Sequence, residues 1–137
     1  MKNRELAADY VRRAEARLGA LEILYRAGSW ADVVGESQEV VELALKGLLR
    51  SCGLEAPRVH DVSDILLAER EHLPAAILPE LGSLCRISRE LRRDRELAFY
   101  GAEDLTPSGF YSEEDAKKAF QGARRTVGCV KPHVRMG

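Results

Sequence analysis

Four polar side chains in the second half of the chain have a spacing that suits phosphate binding. On a helix, positions i, i+4, i+7 and i+11 share one face, and here they are Arg89, Arg93, Glu96 and Tyr100. Arginine binds phosphate oxygens through paired hydrogen bonds, and a nearby tyrosine can stack on a base or donate to an oxygen. The alternative is a solvated face held by pairs such as Arg92 with Glu96, the more common meaning of a charge run.

A second group of polar residues lies earlier in the chain and includes an acid–base pair. His60 and Asp61 are adjacent, so the aspartate could orient the imidazole as a general base. The structural alternative, which we favour, is that the histidine caps or packs and that Asp61 suits the first turn of a helix. Glu42 and Lys46 lie four residues apart in the favourable order, which explains them as a helix-stabilising pair.

The remaining histidines and the cysteines form no recognisable metal or catalytic motif. His72 and His133 have no acid at ligand spacing, and glycine-rich phosphate loops, HExxH and GxSxG are absent from the sequence. Cys52, Cys85 and Cys129 are odd in number and far apart, which predicts reduced, structural thiols rather than a zinc site. We therefore expect no cofactor, no metal site and no catalytic residue.

Apolar residues recur at spacings of three and four along most of the chain, which predicts helices, and no alternating strand pattern of any length is present. The predicted segments are a first helix over residues 4–26, a second from Ser29, with Asp32 in its cap, to Gly53, a short third opening at His60–Asp61, a fourth from Pro74 to Phe99, a polar loop over residues 101–109 and a last helix starting at Ser112. The sequence therefore predicts an all-α fold, an up-and-down helical bundle of four long helices plus one short helix.

The length and composition are those of one ordinary domain. The chain has 137 residues, of which 45% are hydrophobic and 31% charged, enough for one packed core and too apolar for a disordered chain. Lys and Arg total 21 against 22 Asp and Glu, so the net charge requires neither a nucleic acid nor a membrane partner. No window approaches the ~20 apolar residues of a membrane span. We expect a single domain over residues 1–137, located in the cytoplasm, with no membrane partner.

Four short motifs follow one another along the chain. They are an S-Q-x-x-x-E-x-x-x-K run at Ser37, Gln38, Glu42 and Lys46, a His-Asp pair at His60–Asp61, an arginine-containing helix end at Arg93, Tyr100 and Gly101, and a helix start at Tyr111, Ser112, Glu113, Glu114 and Ala116. Their order and spacing resemble those of the HEPN family, the higher eukaryotes and prokaryotes nucleotide-binding domain, over about residues 6–130. The resemblance implies nucleotide binding and a homodimer that brings two arginine-containing helix ends together.

The chain departs at one position from the family's toxins, which cleave RNA without a metal. Those proteins carry R-x4-6-H at the end of the equivalent helix, often as R-x4-H-x-Y. Arg93 and Tyr100 match this spacing, but the histidine position is Ala98, which cannot transfer a proton. The resemblance therefore implies the stand-alone, non-toxin branch, whose members are often encoded beside a minimal nucleotidyltransferase.

We interpret the chain as a non-catalytic HEPN-domain protein, in a toxin–antitoxin-like or defence-related context, that binds a nucleotide, RNA or a nucleotidyltransferase partner. The candidate ligand-binding residues are Arg89, Arg93, Tyr100, Asp94, Lys46 and His60. Two alternatives stay open. One is a metal-independent ribonuclease toxin that uses Arg93 and Tyr100 with His60 reaching in, and the other is a structural interaction module without a ligand.

Three aromatic residues bear on how the chain assembles. Trp30, Phe99 and Phe110 have no obvious place in the core of so small a bundle. A symmetric interface that covers them would remove this apolar surface from water. We therefore expect a homodimer.

Overall fold

A computed structural model describes residues 2–134, so Met1 and residues 135–137 of the predicted domain lie outside the described part. In chain order the helices are α1 (Lys2–Arg26), α2 (Trp30–Ser51), α3 (Ser63–Ala68), α4 (Leu81–Tyr100), α5 (Pro107–Phe110) and α6 (Glu113–Val130), with 3-10 turns at Arg70–His72, Ala75–Glu80 and Lys131–His133. No strand forms within residues 2–134, where an isolated bridge joins Ala102 to Leu105. The all-α prediction with four long helices is confirmed, and α5 is an additional short helix.

α2 occupies the centre of the bundle. Its buried residues cover most of its circumference and include Val33, Val40, Leu45 and Leu48, whereas charged side chains gather on the remaining side. α1, α4 and α6 all pack against it, with α1 in the most extensive contact. α4 and α6 contact each other only slightly. α2 therefore forms the floor of a groove between α4 and α6.

The start of α4 differs from the sequence prediction. Pro74 precedes the 3-10 turn Ala75–Glu80, and the α-helix begins only at Leu81. The reason is Pro79, which has no N–H to donate and whose ring would obstruct the carbonyl four residues earlier in an α-helix. A regular helix can therefore form only after Pro79.

A side-chain cap marks the start of α6 but not the starts of α2 and α3. Ser112 and Asp115 form a full capping box at α6, which confirms the predicted start of the last helix. Ser29 precedes α2 as predicted, but its hydroxyl donates to the Asp32 carboxylate at 2.5 Å instead of accepting from a backbone N–H. The short third helix begins at Ser63, slightly later than the sequence predicts.

Two of the three aromatic residues without a predicted place pack against the bundle. Trp30 contacts Tyr25 edge to face, with ring centroids 5.2 Å apart, and lies against the core. Phe99 lies over Gly35, where an added Cβ would be 2.7 Å from the ring, so the glycine makes room for it. Only Phe110 keeps a large exposed fraction, 49%. Trp30 and Phe99 therefore do not support the predicted homodimer.

Candidate functional site

A groove of about 460 Å³ lies between α4 and α6, and Val34 of α2 forms part of its floor. This volume is within the range of roughly 300–1,000 Å³ typical of small-molecule sites. The two helices run in opposite directions, because Asp94 near the end of α4 meets Tyr111 before α6, and Glu80 before α4 meets Arg125 late in α6. The groove therefore has two distinct ends.

The first end of the groove is aromatic and acidic. Tyr111 is buried, and its hydroxyl donates to the Asp94 carbonyl and carboxylate at 3.3 Å each. Burial and the neighbouring Asp94 carboxylate raise the pKa of Tyr111, so the phenol keeps its proton and acts as a donor. Phe110 packs edge to face on Tyr111 with ring centroids 4.9 Å apart, and half of it faces solvent. This end offers a ring face beside a carboxylate.

Arg93 stands beside Asp94 at this same end. Its guanidinium is 3.9 Å from the Asp94 carboxylate, and the side chain is 73% exposed. An exposed pair at this distance contributes little to stability, roughly 0–1 kcal/mol. The Arg93 guanidinium is therefore held loosely and is accessible to a ligand.

The opposite end of the groove is basic. Arg125 is paired with Glu80, and Arg86 lies on the facing wall. Arg86 is exposed and makes no ion pair or hydrogen bond with another side chain in residues 2–134. Between the two ends, Lys118 of α6 bridges to Glu90 of α4 at 3.3 Å. The unpaired cation of the groove is thus at the end away from Phe110.

Arg89 is directed to another part of the molecule than the groove. Its Nε donates to the Ser63 hydroxyl at 3.1 Å, and a guanidinium nitrogen lies 3.7 Å from Asp64 of α3. The Asp61 carboxylate completes this contact by accepting from the Ser63 N–H and hydroxyl and from the Ser88 hydroxyl. Although burial by itself raises the Asp61 pKa, these hydrogen bonds hold it below its ordinary value. Arg89 and Asp61 therefore help to fix α3 on α4.

Lys46 and His60 meet at the Glu42 carboxylate. Lys46 Nζ donates to one Glu42 oxygen at 2.8 Å, and His60 Nδ1 lies 2.8 Å from the other. Gln38 Nε2 donates to Glu42 at 3.1 Å and to the His60 carbonyl at 3.2 Å, while its own oxygen accepts from Arg95 of α4. Burial alone would raise the Glu42 pKa, but the hydrogen bonds from Lys46, His60 and Gln38 hold it below its ordinary value. This Glu42 cluster ties the segment before α3 to α2 and α4.

The six candidate residues therefore occupy different places. Arg93 and Asp94 line the groove, Lys46 and His60 belong to the Glu42 cluster, and Arg89 faces α3. Tyr100 is 79% exposed at the end of α4, outside the groove lining. The sequence prediction missed Arg86, although it lies seven residues before Arg93, a spacing that places both on one helix face.

The ribonuclease alternative requires His60 to reach Arg93 and Tyr100. The His60 imidazole meets Glu42, and no hydrogen bond joins it to Arg93 or Tyr100 in the described part of the chain. Ala98 is 1% exposed, so its side chain is inside the bundle. Among residues 2–134, no cluster of three or more His, Cys, Asp or Glu side chains could hold a metal.

The three cysteines carry free thiols. Burial raises the pKa of both Cys52 and Cys85, so the reactive thiolate form is disfavoured at neutral pH. None of the helices formed by residues 2–134 is both long and apolar enough to cross a membrane.

The chain is similar to known proteins in both sequence and fold. A model of the HEPN domain family matches residues 7–133. The crystal structure of TT1696 from Thermus thermophilus has a TM-score of 0.75 and 25% sequence identity, over 93% of this chain and 97% of that one. The crystal structure of ST0689, described as an archaeal HEPN homologue, has a TM-score of 0.71 and 26% identity, over 94% of this chain and 98% of that one. No curated protein matches the chain.

Proposed function

The chain belongs to the HEPN family, and we propose that it is a nucleotide-binding module without nuclease activity, which binds its ligand in the α4–α6 groove beside Arg93 and Asp94. The main observation behind this proposal is that the Arg93 guanidinium is accessible and lies at a groove whose volume suits a small molecule. Arg93 also belongs to the motif by which the sequence resembles the family. An arginine with unused donors can bind a phosphate oxygen or an acceptor atom at the edge of a base.

The non-catalytic part of the proposal is supported by the residues that follow Arg93. A spacing of four to six intervening residues leads to Ala98, Phe99 and Tyr100, and none of them is a histidine. A positioned general acid or base contributes roughly 100- to 10,000-fold to a rate. Without that group, Arg93 can still bind a nucleotide but has no partner for proton transfer at this motif.

Purified protein is expected to bind nucleotides and to leave RNA intact. At a nucleotide concentration of 100 times Kd, the stabilisation is about 2.7 kcal/mol, so a thermal-shift screen should detect a rise of several degrees in Tm. Arg93→Ala should reduce this rise. Arg13→Ala is the matched control, because it removes the same charge from an exposed position on α1.

Two kinds of result, one from the thermal-shift screen and one from an RNA degradation assay, would contradict the proposal. If no nucleotide raises Tm, or if Arg93→Ala changes the rise no more than Arg13→Ala, the Arg93 surface is ordinary solvated surface. If wild-type protein degrades RNA vigorously and Arg93→Ala abolishes the degradation, the protein is a ribonuclease of the HEPN class.

We also propose a cytoplasmic location, because widely spaced cysteines without a pairing pattern are typical of proteins in a reducing compartment.

The proposal further includes a homodimer and a minimal nucleotidyltransferase partner. The homodimer is supported by exposed apolar surface outside the groove, at Ile23 and Tyr100, which are 70% and 79% exposed. Light scattering at micromolar concentration should give twice the chain mass of 15.2 kDa. A mass near 15.2 kDa would argue for a monomer.

A further inference from the structure

The two ends of the α4–α6 groove differ in charge. Arg86 and Arg125 lie at one end, whereas the other end carries Asp94 and Asp115, with Arg93 beside Asp94 and with Phe110. Glu90 and Lys118 neutralise each other between them. A ligand that fits this pattern has an anionic group at one end and an aromatic group with hydrogen-bond donors at the other.

The length of the groove sets the size of that ligand. Arg86 and Asp94 are eight residues apart on α4, which corresponds to about 12 Å at the rise of an α-helix. This is the scale of one nucleotide with its phosphates and not of a long strand. The lining carries four basic side chains, Arg86, Arg93, Lys118 and Arg125, against three acidic ones, Glu90, Asp94 and Asp115.

A nearly balanced lining disfavours a polyanion. Binding of a nucleic-acid strand depends on several basic side chains that neutralise successive phosphates. Here Lys118 is engaged by Glu90 and Arg125 by Glu80, which leaves Arg86 without a partner and Arg93 with a weak one. One phosphate or diphosphate group matches this supply of cations better than an RNA strand does.

The aromatic end provides what a base requires. The exposed half of Phe110 offers a face for stacking, and the Asp94 carboxylate can accept from an amino group at the edge of the base. Both Asp94 contacts within the protein are long, 3.3 Å from the Tyr111 hydroxyl and 3.9 Å from Arg93. This carboxylate therefore has room for a further donor.

We infer that the groove binds a nucleoside mono- or diphosphate with an amino-bearing base in one orientation, with the phosphate at Arg86 and the base against Phe110 beside Asp94. The inference rests on the proposed nucleotide binding. It adds the orientation of the nucleotide in the groove and a preference for bases that carry an amino group. Adenine, cytosine and guanine carry an amino group, whereas uracil does not. Adenine and uracil nucleotides therefore test the preference.

The experiment measures Kd for ADP and UDP by calorimetry, and for adenosine by competition against ADP. We expect UDP to bind several-fold more weakly than ADP, because uracil offers the Asp94 carboxylate a single ring N–H between two carbonyl oxygens and stacks on Phe110 over a smaller area. Arg86→Ala should weaken ADP at least tenfold and adenosine less than twofold, because only ADP reaches the basic end. Phe110→Ala should weaken both by about tenfold, within the range for one stacked base. Because Arg86 and Phe110 are both exposed, we expect both variants to fold. Arg13→Ala is the control and should change the Kd of neither ADP nor adenosine.

Each negative result would contradict a different part of the inference. If wild-type protein binds neither ADP nor UDP, the proposed nucleotide binding itself is wrong. If ADP binds but Arg86→Ala leaves its Kd unchanged, or weakens adenosine equally, the phosphate does not lie at Arg86. If adenosine never displaces ADP, or UDP binds as tightly as ADP, the base is not held by Phe110 and Asp94.

Discussion

Replacing Glu42 with alanine is expected to lower the free energy of unfolding by about 3 kcal/mol, the largest loss that we expect from removing one polar group here. The Glu42 side chain is 14% exposed and accepts hydrogen bonds from Lys46, Gln38 and His60. Lys46 is equally buried, so Glu42→Ala leaves an uncompensated ammonium group inside the bundle. Urea unfolding followed by circular dichroism measures the difference.

Glu15→Ala is the matched control for this variant. Glu15 also accepts from a lysine, Lys131, at 2.7 Å, but both side chains are much more exposed, 35% and 50%. An exposed pair contributes roughly 0–1 kcal/mol, so the control should lose far less stability. If the two variants lose the same free energy of unfolding, the Glu42 cluster does not hold the segment before α3 on α2.

The effect of Glu42→Ala should also depend on pH. Because the folded-state pKa of Glu42 is lowered, its ionised form stabilises the fold above the unfolded value of about 4.3, and this stabilisation is lost as pH falls through the folded pKa. The gap in unfolding free energy between wild type and Glu42→Ala should narrow as pH falls below about 4. A gap that stays unchanged below about pH 4 would mean that lost packing, and not lost charge, causes it.

Gly101→Ala is expected to cost at least about 2 kcal/mol, with a drop in Tm of several degrees. Gly101 has φ 74° and ψ −161°, a region that is essentially restricted to glycine. A Cβ at this position would lie 2.6 Å from the Leu105 carbonyl oxygen and 2.9 Å from Pro107 Cδ. The turn that connects α4 to α5 would have to change, and Phe110 at the end of α5 would move with it. ADP binding should therefore weaken in the fraction that stays folded.

Gly82→Ala tests the same substitution where it meets no obstacle. Gly82 is exposed in the first turn of α4, and an added Cβ would meet no atom within 4 Å. Because alanine restricts the unfolded chain, this variant should be about 0.5–1 kcal/mol more stable than wild type. Equal melting temperatures for Gly82→Ala and Gly101→Ala would contradict the role of the Gly101 turn.

Local sequence patterns predicted the helices well, because the determinants lie within a few residues of each helix. The apolar positions of α2 and the capping box at Ser112 are of this kind. Pro79, which delays α4, was also visible in the sequence, but Pro74 suited a helix start equally well.

The candidate site was predicted only in part, because long-range packing decides which side chains meet. Helix spacing placed Arg89 and Arg93 on one face, yet the position of α3 draws Arg89 to Ser63. Glu42 and Lys46 were predicted as a pair, but His60 joins them from 18 residues along the chain. The groove itself exists because α4 and α6 both pack on α2, which no local pattern encodes.

The most direct test of the central claim, that the α4–α6 groove is the ligand site, is an NMR titration of isotope-labelled wild-type protein with ADP. We expect the shifted backbone amides to cluster at residues 86–94 of α4 and at residues 110–125, around the groove, while the Glu42 cluster keeps its shifts. Saturation at a single Kd would agree with one site. Shifts that cluster around Glu42 and His60, or no shifts at millimolar ADP, would contradict the assignment of the groove.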